Sequence, residues 1–305
     1  MSLRLTLFNT AARVFVRPKV IRSTPLDLRA ELERLGPRAL YLPPYTRVAE
    51  TALAPGLRAA VISRHPGSRP PHPDRTLLWL HGGAFMGGSP RTHARLIARI
   101  AGRARLEAYA PDYRLAPEHP FPAAAQDART AFDALVARGH APGDILIGGD
   151  SAGGNLALGL LAGLLGDGIR PAGVVALSPV TDLTFSSTSV AENRDHDPLL
   201  PASRTDEVRR AYLAGADPTD PRASPLFADF PDPPPVFLQV GAREILRDDS
   251  RRMAERLRAA GGAVTLDEWP DAPHVFTMFD AYLPEAREGL RRIGRFIDGL
   301  WEGRD

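Results

Sequence analysis

The stretch that decides the fold is "ILIGGDSAGGNLALGLLAGLL", residues 145–165. Its first three residues are an apolar run that reads as a buried strand, and residues 156–165 are rich in helix formers. Between them stands one serine, Ser151, among small residues. Gly149-Asp150-Ser151-Ala152-Gly153 fits G-x-S-x-G. A serine at a tight strand-to-helix turn takes a strained backbone conformation, and only small neighbours leave room for it. Its hydroxyl then projects from the top of the sheet, where the following helix directs its amino end and favours negative charge. A plainer role for Ser151 or Asp150 would be to cap that helix.

Outward from this turn the chain alternates. Strand-like segments fall at 57–63, 76–80, 106–111, 144–149, 172–179, 234–241 and 263–270. Helical periodicity fills 91–104, 123–139, 155–168, 249–262 and 285–301. Apolar strands alternating with helices predict an α/β protein with a mostly parallel twisted sheet covered on both faces. Upstream, Leu3, Leu7, Ala11 and Val14 recur at helical spacing and predict a helix that packs this stripe on the body. A second helix spans 23–37, with Thr24 as its cap, Pro25 in its first turn and Gly36-Pro37 as its stop. Residues 64–75 form a Pro-rich surface loop, and 181–235 breaks the rhythm with one helix, 203–215, among Pro- and Asp-rich loops. So long an insertion between core strands predicts a lid.

Composition narrows the chemistry. The 305 residues are 44% hydrophobic and 24% charged, enough for one sizeable core. Cysteine is absent, which removes disulfides, thiolate metal sites and a cysteine nucleophile. Lys19 is the only lysine, which excludes the usual phosphate-binding loop and disfavours Schiff-base chemistry. The net charge is only +2, but residues 1–40 carry eight basic and three acidic side chains. A basic amphipathic start is one that can touch an anionic membrane, although packing on the body is the expected outcome. Arg4, Arg13 and Arg17 interrupt any signal-peptide core, and no run reaches membrane-spanning length. A cytoplasmic protein with no stable membrane insertion and no nucleic-acid partner is expected.

A second glycine-rich segment follows the strand at 76–80: His81-Gly82-Gly83-Ala84-Phe85. Glycines let main-chain N–H groups face a ligand closely. With the N–H of Ala152 they suit the oxyanion of a tetrahedral intermediate. A dinucleotide-binding turn fails, because Ala84 stands where glycine is needed and no acidic residue ends the next strand.

HGGAF, then "DYRLAPEHPFPAA" (112–124), then GDSAGGN, in that order, resembles the bacterial hormone-sensitive-lipase-like family of α/β-hydrolase esterases from about Thr76 to the C-terminus. The resemblance implies an α/β-hydrolase fold, a Ser–acid–His triad, no metal or cofactor, and hydrolysis of short- to medium-chain esters through an acyl-enzyme. It departs where the family usually has HGGG: Ala84 replaces the third glycine, and its methyl would narrow the oxyanion pocket. The expected oxyanion donors are around Gly82, Gly83, Ala84 and Ala152.

Serine needs a base within hydrogen-bond reach. Of eight histidines, His65 and His72 lie in the Pro-rich loop, His93 and His140 on or beside surface helices, His119 in a turn, and His196 in the insertion. His81 is expected to orient the oxyanion loop. His274 remains, past the last strand and before the last helix, where this fold places its base. For the acid, Glu244, Asp248 and Asp249 compete in "GAREILRDDS". Glu244 lies nearest the strand end, and it takes the first-acid position of the D-x-L-x-D pattern common in the resembled family. Asp150 supports the turn. Asp112 and Arg114 are expected to pair beneath the oxyanion loop, with Glu118 supporting it.

Phe85, Met86 and Tyr212 are pocket candidates, with Phe8, Phe15 and Phe185. The expected organisation is cap helices over 1–45, a core of 46–184 and 226–305, and a cap insertion over 185–225. A cap built from two segments predicts a restricted pocket for small soluble esters. Lactone, amide or carbamate hydrolysis would share the triad, a non-catalytic receptor would use the same fold, and a homodimer fits the resembled family.

Overall fold

A computed structural model describes residues 2–65 and 72–302. Eight strands form one sheet: β1 (Thr46–Ala54), β2 (Leu57–Arg64), β3 (Thr76–Leu80), β4 (Glu107–Pro111), β5 (Ile145–Asp150), β6 (Gly173–Leu177), β7 (Val236–Gly241) and β8 (Val264–Trp269). The ten α-helices among the described residues are α1 (Leu3–Ala11), α2 (Arg17–Arg22), α3 (Pro25–Ala39), α4 (Pro90–Ala104), α5 (Ala123–Ala137), α6 (Ala152–Gly166), α7 (Thr188–Glu192), α8 (Thr205–Leu213), α9 (Arg247–Ala259) and α10 (Pro284–Gly299). None is long and apolar enough to cross a membrane.

The strand order is β1-β2-β4-β3-β5-β6-β7-β8. β2 runs antiparallel to both β1 and β4, and the rest of the sheet is parallel. The central strands are buried on both faces, so their residues divide by strict alternation. Leu78 and Leu80 of β3, Ile147 of β5 and Val174 of β6 pack with α5, α6 and α9. Leu77, Trp79, Leu146 and Val175 point the other way and pack with α4 and α10. β3 connects to β4 on one side, and the chain then returns across β3 to form β5 on the other. This reversal makes the carboxyl ends of β3 and β5 the switch point of the sheet, where a crevice opens.

Three sequence expectations change. β1 has no apolar run to announce it: it is an edge strand with only Leu53 buried. α3 does not stop at Gly36-Pro37 but runs to Ala39. Pro37 cannot donate to the carbonyl of Glu33, but Arg91 Nη2 reaches that oxygen at 3.2 Å, so the missing bond is replaced. The stripe Leu3, Leu7, Ala11 and Val14 faces away from the body. The opposite face docks instead: Leu5 is buried in a cluster with Phe276, Leu283 and Ala286, and Phe8 stacks on Phe279 at 4.6 Å. A π-helical turn over Ala12–Val16 joins α1 to α2. Of the Pro-rich loop, residues 66–71 lie outside the described residues.

Packing leaves no room for a side chain at the start of α6. A Cβ on Gly153 would lie 2.0 Å from the carbonyl oxygen of Leu80. Gly153→Ala is therefore expected to cost about 2–4 kcal/mol of stability, read as a lowered denaturant midpoint with unchanged slope.

Candidate active site

The Ser151 turn follows from the switch point. Leu80 pairs with Gly149, so the loops leaving β3 and β5 rise side by side. Ser151 sits between β5 and α6 with φ 53° and ψ −118°. Such a conformation costs a non-glycine residue about 1–3 kcal/mol and persists only where its surroundings enforce it. Here the Ser151 N–H donates to Leu177 O at 2.8 Å. Beside it, Gly83 has φ +126°, and a Cβ there would meet Gly87 O at 2.1 Å. Ala84 and Phe85 follow at φ 54° and 61°. Ala84 thus takes a left-handed conformation that glycine would adopt freely, at a cost of roughly 1–2 kcal/mol. Met86 and Gly87 donate their N–H groups back to Gly83 O at 3.0 and 2.9 Å. The N–H groups of Gly83, Ala84 and Ala152 make no backbone hydrogen bond among the described residues.

His274 lies between β8 and α10, with Nδ1 2.7 Å from Glu244 Oε2. Of the three competing acids it is Glu244, fully buried, that stands beside the imidazole. Its other oxygen accepts from Ser178 Oγ at 2.8 Å and from Gly241 N at 2.6 Å. Ser178 also accepts from Val275 N, tying the imidazole loop to the acid. Burial opposes charging of His274, but Glu244, aided by Asp197 and Asp150, outweighs it and raises the imidazole pKa above its ordinary 6.5. Asp248 and Asp249 face elsewhere. Asp248 accepts from Thr188 Oγ1 and Ser189 N, and Asp249 from the N–H groups of Thr181 and Asp182. They pin 181–189 to α9.

Beneath the Ser151 turn lies a buried polar cluster. Asp150 accepts from Trp79 Nε1 at 3.2 Å and pairs with His93 Nε2 at 3.2 Å. His93 is therefore not a surface histidine: it is on the inward face of α4 and almost fully buried. Burial works against its charge, but Asp150 prevails and raises its pKa; burial likewise disfavours the Asp150 anion, and His93 prevails to lower its pKa. His81 stacks on Tyr113 with ring centroids 4.1 Å apart, and its Nδ1 is 2.9 Å from Gly82 O. Burial, with His93 nearby, pushes its pKa down to about 3, so it stays neutral.

Side chains from the outer segments hold these loops. From α3, the Arg29 guanidinium donates to Met86 O and, at 2.6 Å, to Ala116 O, while pairing with Glu118 at 2.7 Å. Glu118 thus acts on the oxyanion loop through Arg29. The expected Asp112–Arg114 pair does not form. Arg114 grips Asp127 with 2.8 and 3.0 Å contacts because α5 runs directly behind it, and Asp112 is 3.9 Å from exposed Arg58. On the acid side, Asn193 Nδ2 donates to the carbonyls of Ala242 and Glu244. Buried Asp197 accepts from Leu199, Leu200 and Ile245 N–H groups. Burial, with Glu244 nearby, pushes the Asp197 pKa up to about 6.

A mostly apolar cavity of about 410 Å³ opens over this ground. Ser151 and His274 line it together, with Gly83, Ala84, Phe85 and Met86. Phe185 is also in its wall; Phe8, Phe15 and Tyr212 are not. Tyr212 stacks behind Phe85 at 3.7 Å, fully buried, while Phe15 faces out and Phe8 covers Phe279. Arg29, His93, Ser178, Asn193 and Asp197 carry no motif that distinguishes them in sequence. Among the described residues no cluster of three His, Asp or Glu side chains is placed to hold a metal ion.

Residues 77–278 match a family described as having the alpha/beta hydrolase fold. An acetyl-hydrolase of Streptomyces hygroscopicus is 39% identical over 231 residues, covering 75% of this chain and 77% of that protein. An esterase of Acinetobacter venetianus is 36% identical over 93% of this chain and 92% of its own length. Among solved structures, an esterase from the bacterial hormone-sensitive lipase family superposes with a TM-score of 0.90 at 36% identity, covering 98% of this chain and 99% of that one. The esterase EstE5 does so with 0.93 at 32%, covering 99% and 100%. With its switch-point serine, its glycine-rich loop and these relatives, the chain belongs to the α/β-hydrolase-fold family, in its bacterial hormone-sensitive-lipase-like branch.

Proposed function

We propose that this chain is a carboxylic ester hydrolase in which Ser151, Glu244 and His274 act as one triad. The observation that carries the reading is the 2.7 Å Glu244–His274 pair, whose imidazole lines the same cavity as Ser151. The Nδ1 proton of His274 is donated to Glu244, which leaves Nε2 as the base. Nε2 takes the Ser151 hydroxyl proton as Oγ bonds to the ester carbonyl carbon. The carbonyl oxygen becomes an anion facing the N–H groups of Gly83, Ala84 and Ala152, and the amino end of α6 adds its dipole. Collapse breaks the bond to the alcohol oxygen, which leaves with the proton from His274. Water, deprotonated by the same nitrogen, then attacks the acyl carbon, the bond to Ser151 Oγ breaks, and His274 returns the proton to Oγ as the carboxylic acid leaves. Relatives named esterase and acetyl-hydrolase support the assignment.

In this reading residues 1–45 and 185–225 form a two-part cap. Val16, Val20 and Leu28 from the first, with Phe185, Leu199 and Val208 from the second, line the cavity. An apolar space of about 410 Å³ suits short- to medium-chain acyl groups. Hydrolysis of p-nitrophenyl esters is thus expected to peak at butyrate to octanoate and to fall at least about tenfold at palmitate. A maximum at palmitate would overturn the restricted pocket.

A fluorophosphonate probe is expected to add one adduct, at Ser151, and Ser151→Ala to abolish both adduct and turnover. An unlabelled Ser151 in folded protein would end the acyl-enzyme reading.

The triad acid has its own test. Because His274 must be neutral to act and its pKa is raised, kcat/KM should climb with pH through a midpoint above 6.5. Glu244→Gln should lower kcat by about 10³–10⁴ and move that midpoint to lower pH, since the anion that raised it is gone. Asp248→Asn should leave the midpoint in place. The reverse pattern would transfer the role to Asp248.

A further inference from the structure

We propose that the N-terminal helical run, residues 2–22, docks this protein on an anionic lipid surface. The run has two unlike faces. Leu5, Phe8 and Ala12 are turned to the body, and Asn9 Nδ2 donates to Asp271 O at 2.8 Å. The opposite face leaves Leu3 75%, Leu7 61% and Phe15 74% exposed, with Val14 beside them. Leu3, Leu7 and Val14 recur at one helical face, and the π-helical turn at Ala12–Val16 brings Phe15 into the same stripe by adding about one residue to the winding. Single exposed apolar residues need no explanation, but a continuous stripe of them does.

Charge decides between occupants. Residues 1–22 hold five basic side chains, Arg4, Arg13, Arg17, Lys19 and Arg22, and no acidic one. Arg13 and Arg17 are engaged with the carbonyls of His196 and Arg194, and Lys19 pairs with Glu31. Arg4 and Arg22 make no ion pair among the described residues and flank the stripe at its two ends. A second copy of this chain meeting the stripe across a two-fold axis would set these cations against their own equivalents. An anionic bilayer surface complements both features, taking Leu and Phe side chains among its acyl chains and the arginines at its headgroups.

The position adds a consequence. Val16 and Val20 of the same run line the catalytic cavity with Ser151 and His274. A docked molecule therefore sets its cavity wall at the lipid boundary, where medium-chain esters concentrate. The docking itself is independent of the esterase reading, because it is measured as binding rather than turnover.

The test is co-sedimentation of the full chain with phosphatidylglycerol or phosphatidylcholine vesicles. Binding is expected to phosphatidylglycerol at low salt, to weaken strongly in 1 M NaCl (~3 Å screening length), and to be at least about tenfold weaker for phosphatidylcholine. The double variants Leu7→Ser/Phe15→Ser and Arg4→Gln/Arg22→Gln should each lose about tenfold or more in partitioning. Both should still hydrolyse dissolved p-nitrophenyl acetate at the parent rate, showing that the fold is kept. A parent protein that stays in the supernatant with phosphatidylglycerol overturns the proposal. So does a dimer, seen by light scattering, that Leu7→Ser/Phe15→Ser dissociates while vesicles bind neither form.

Discussion

The structure depends on how little room separates the ends of β3 and β5. These strands are hydrogen-bonded neighbours, roughly 4.8 Å apart, and a loop must leave each of them on the same side. The small residues around Ser151 and after His81 follow from that crowding. Gly153 leaves no space for a methyl beneath Leu80 O, and a Cβ on Gly82 would lie 2.3 Å from the Asp150 carboxylate. The crowding that forbids side chains also forces Ser151 into its positive φ. Backbone N–H groups and the Ser151 hydroxyl are then presented above the ends of the two strands. The chemistry open to this site is set there, before any other residue contributes.

Asp150 creates an electrostatic difficulty that its neighbours resolve. A buried carboxylate without partners is costly, and here it lies beneath the glycine-rich loop. His93 and Trp79 take up both of its oxygens, so the buried carboxylate is satisfied in place. His81 contributes no charge, since burial keeps it neutral, and serves as a flat packing surface against Tyr113. The imidazole of His274 also has a carboxylate partner: Glu244 beside it outweighs burial and favours its protonated form. Two histidine–carboxylate pairs thus lie within one site, His93–Asp150 beneath the glycine-rich loop and His274–Glu244 beside the cavity.

The parallel core was legible because its strands are short apolar runs bounded by glycine and its helices have clear ends. Ser151, His274 and Glu244 could be singled out because each follows a strand whose place in the order is readable. The positions that sequence did not reveal share a physical cause. β1 is an edge strand whose residues meet solvent on both faces, so no alternation marks it. Pro37 reads as a stop because the arginine that replaces its missing hydrogen bond lies 54 residues away. His93 reads as a surface residue because its partner is fixed by the sheet, not by α4. The stripe of α1 was assigned inward because periodicity tells that a helix has two faces and not which one the body takes; Phe279 and Leu283, far along the chain, decide it.

The acid of the site is held from two directions, and the division has a mechanical meaning. The carboxylate of Glu244 is fixed by the core, through Ser178 and the N–H of Gly241. Its backbone is fixed by the 185–225 segment, through Asn193 to the Glu244 carbonyl and Asp197 to the Ile245 N–H. Asp197 also accepts from Leu199 and Leu200, which stand in the cavity wall. One buried side chain therefore connects the wall that meets substrate to the turn that carries the acid. On the other side Arg29 makes the equivalent connection, from α3 to the loop that carries Ala84. A displacement of either outer segment is transmitted by hydrogen bonds to the loop of Glu244 or to that of Ala84. The cavity cannot be widened at these two points without disturbing the geometry at its floor, so the width of the cavity and the placement of Glu244 and Ala84 are set together.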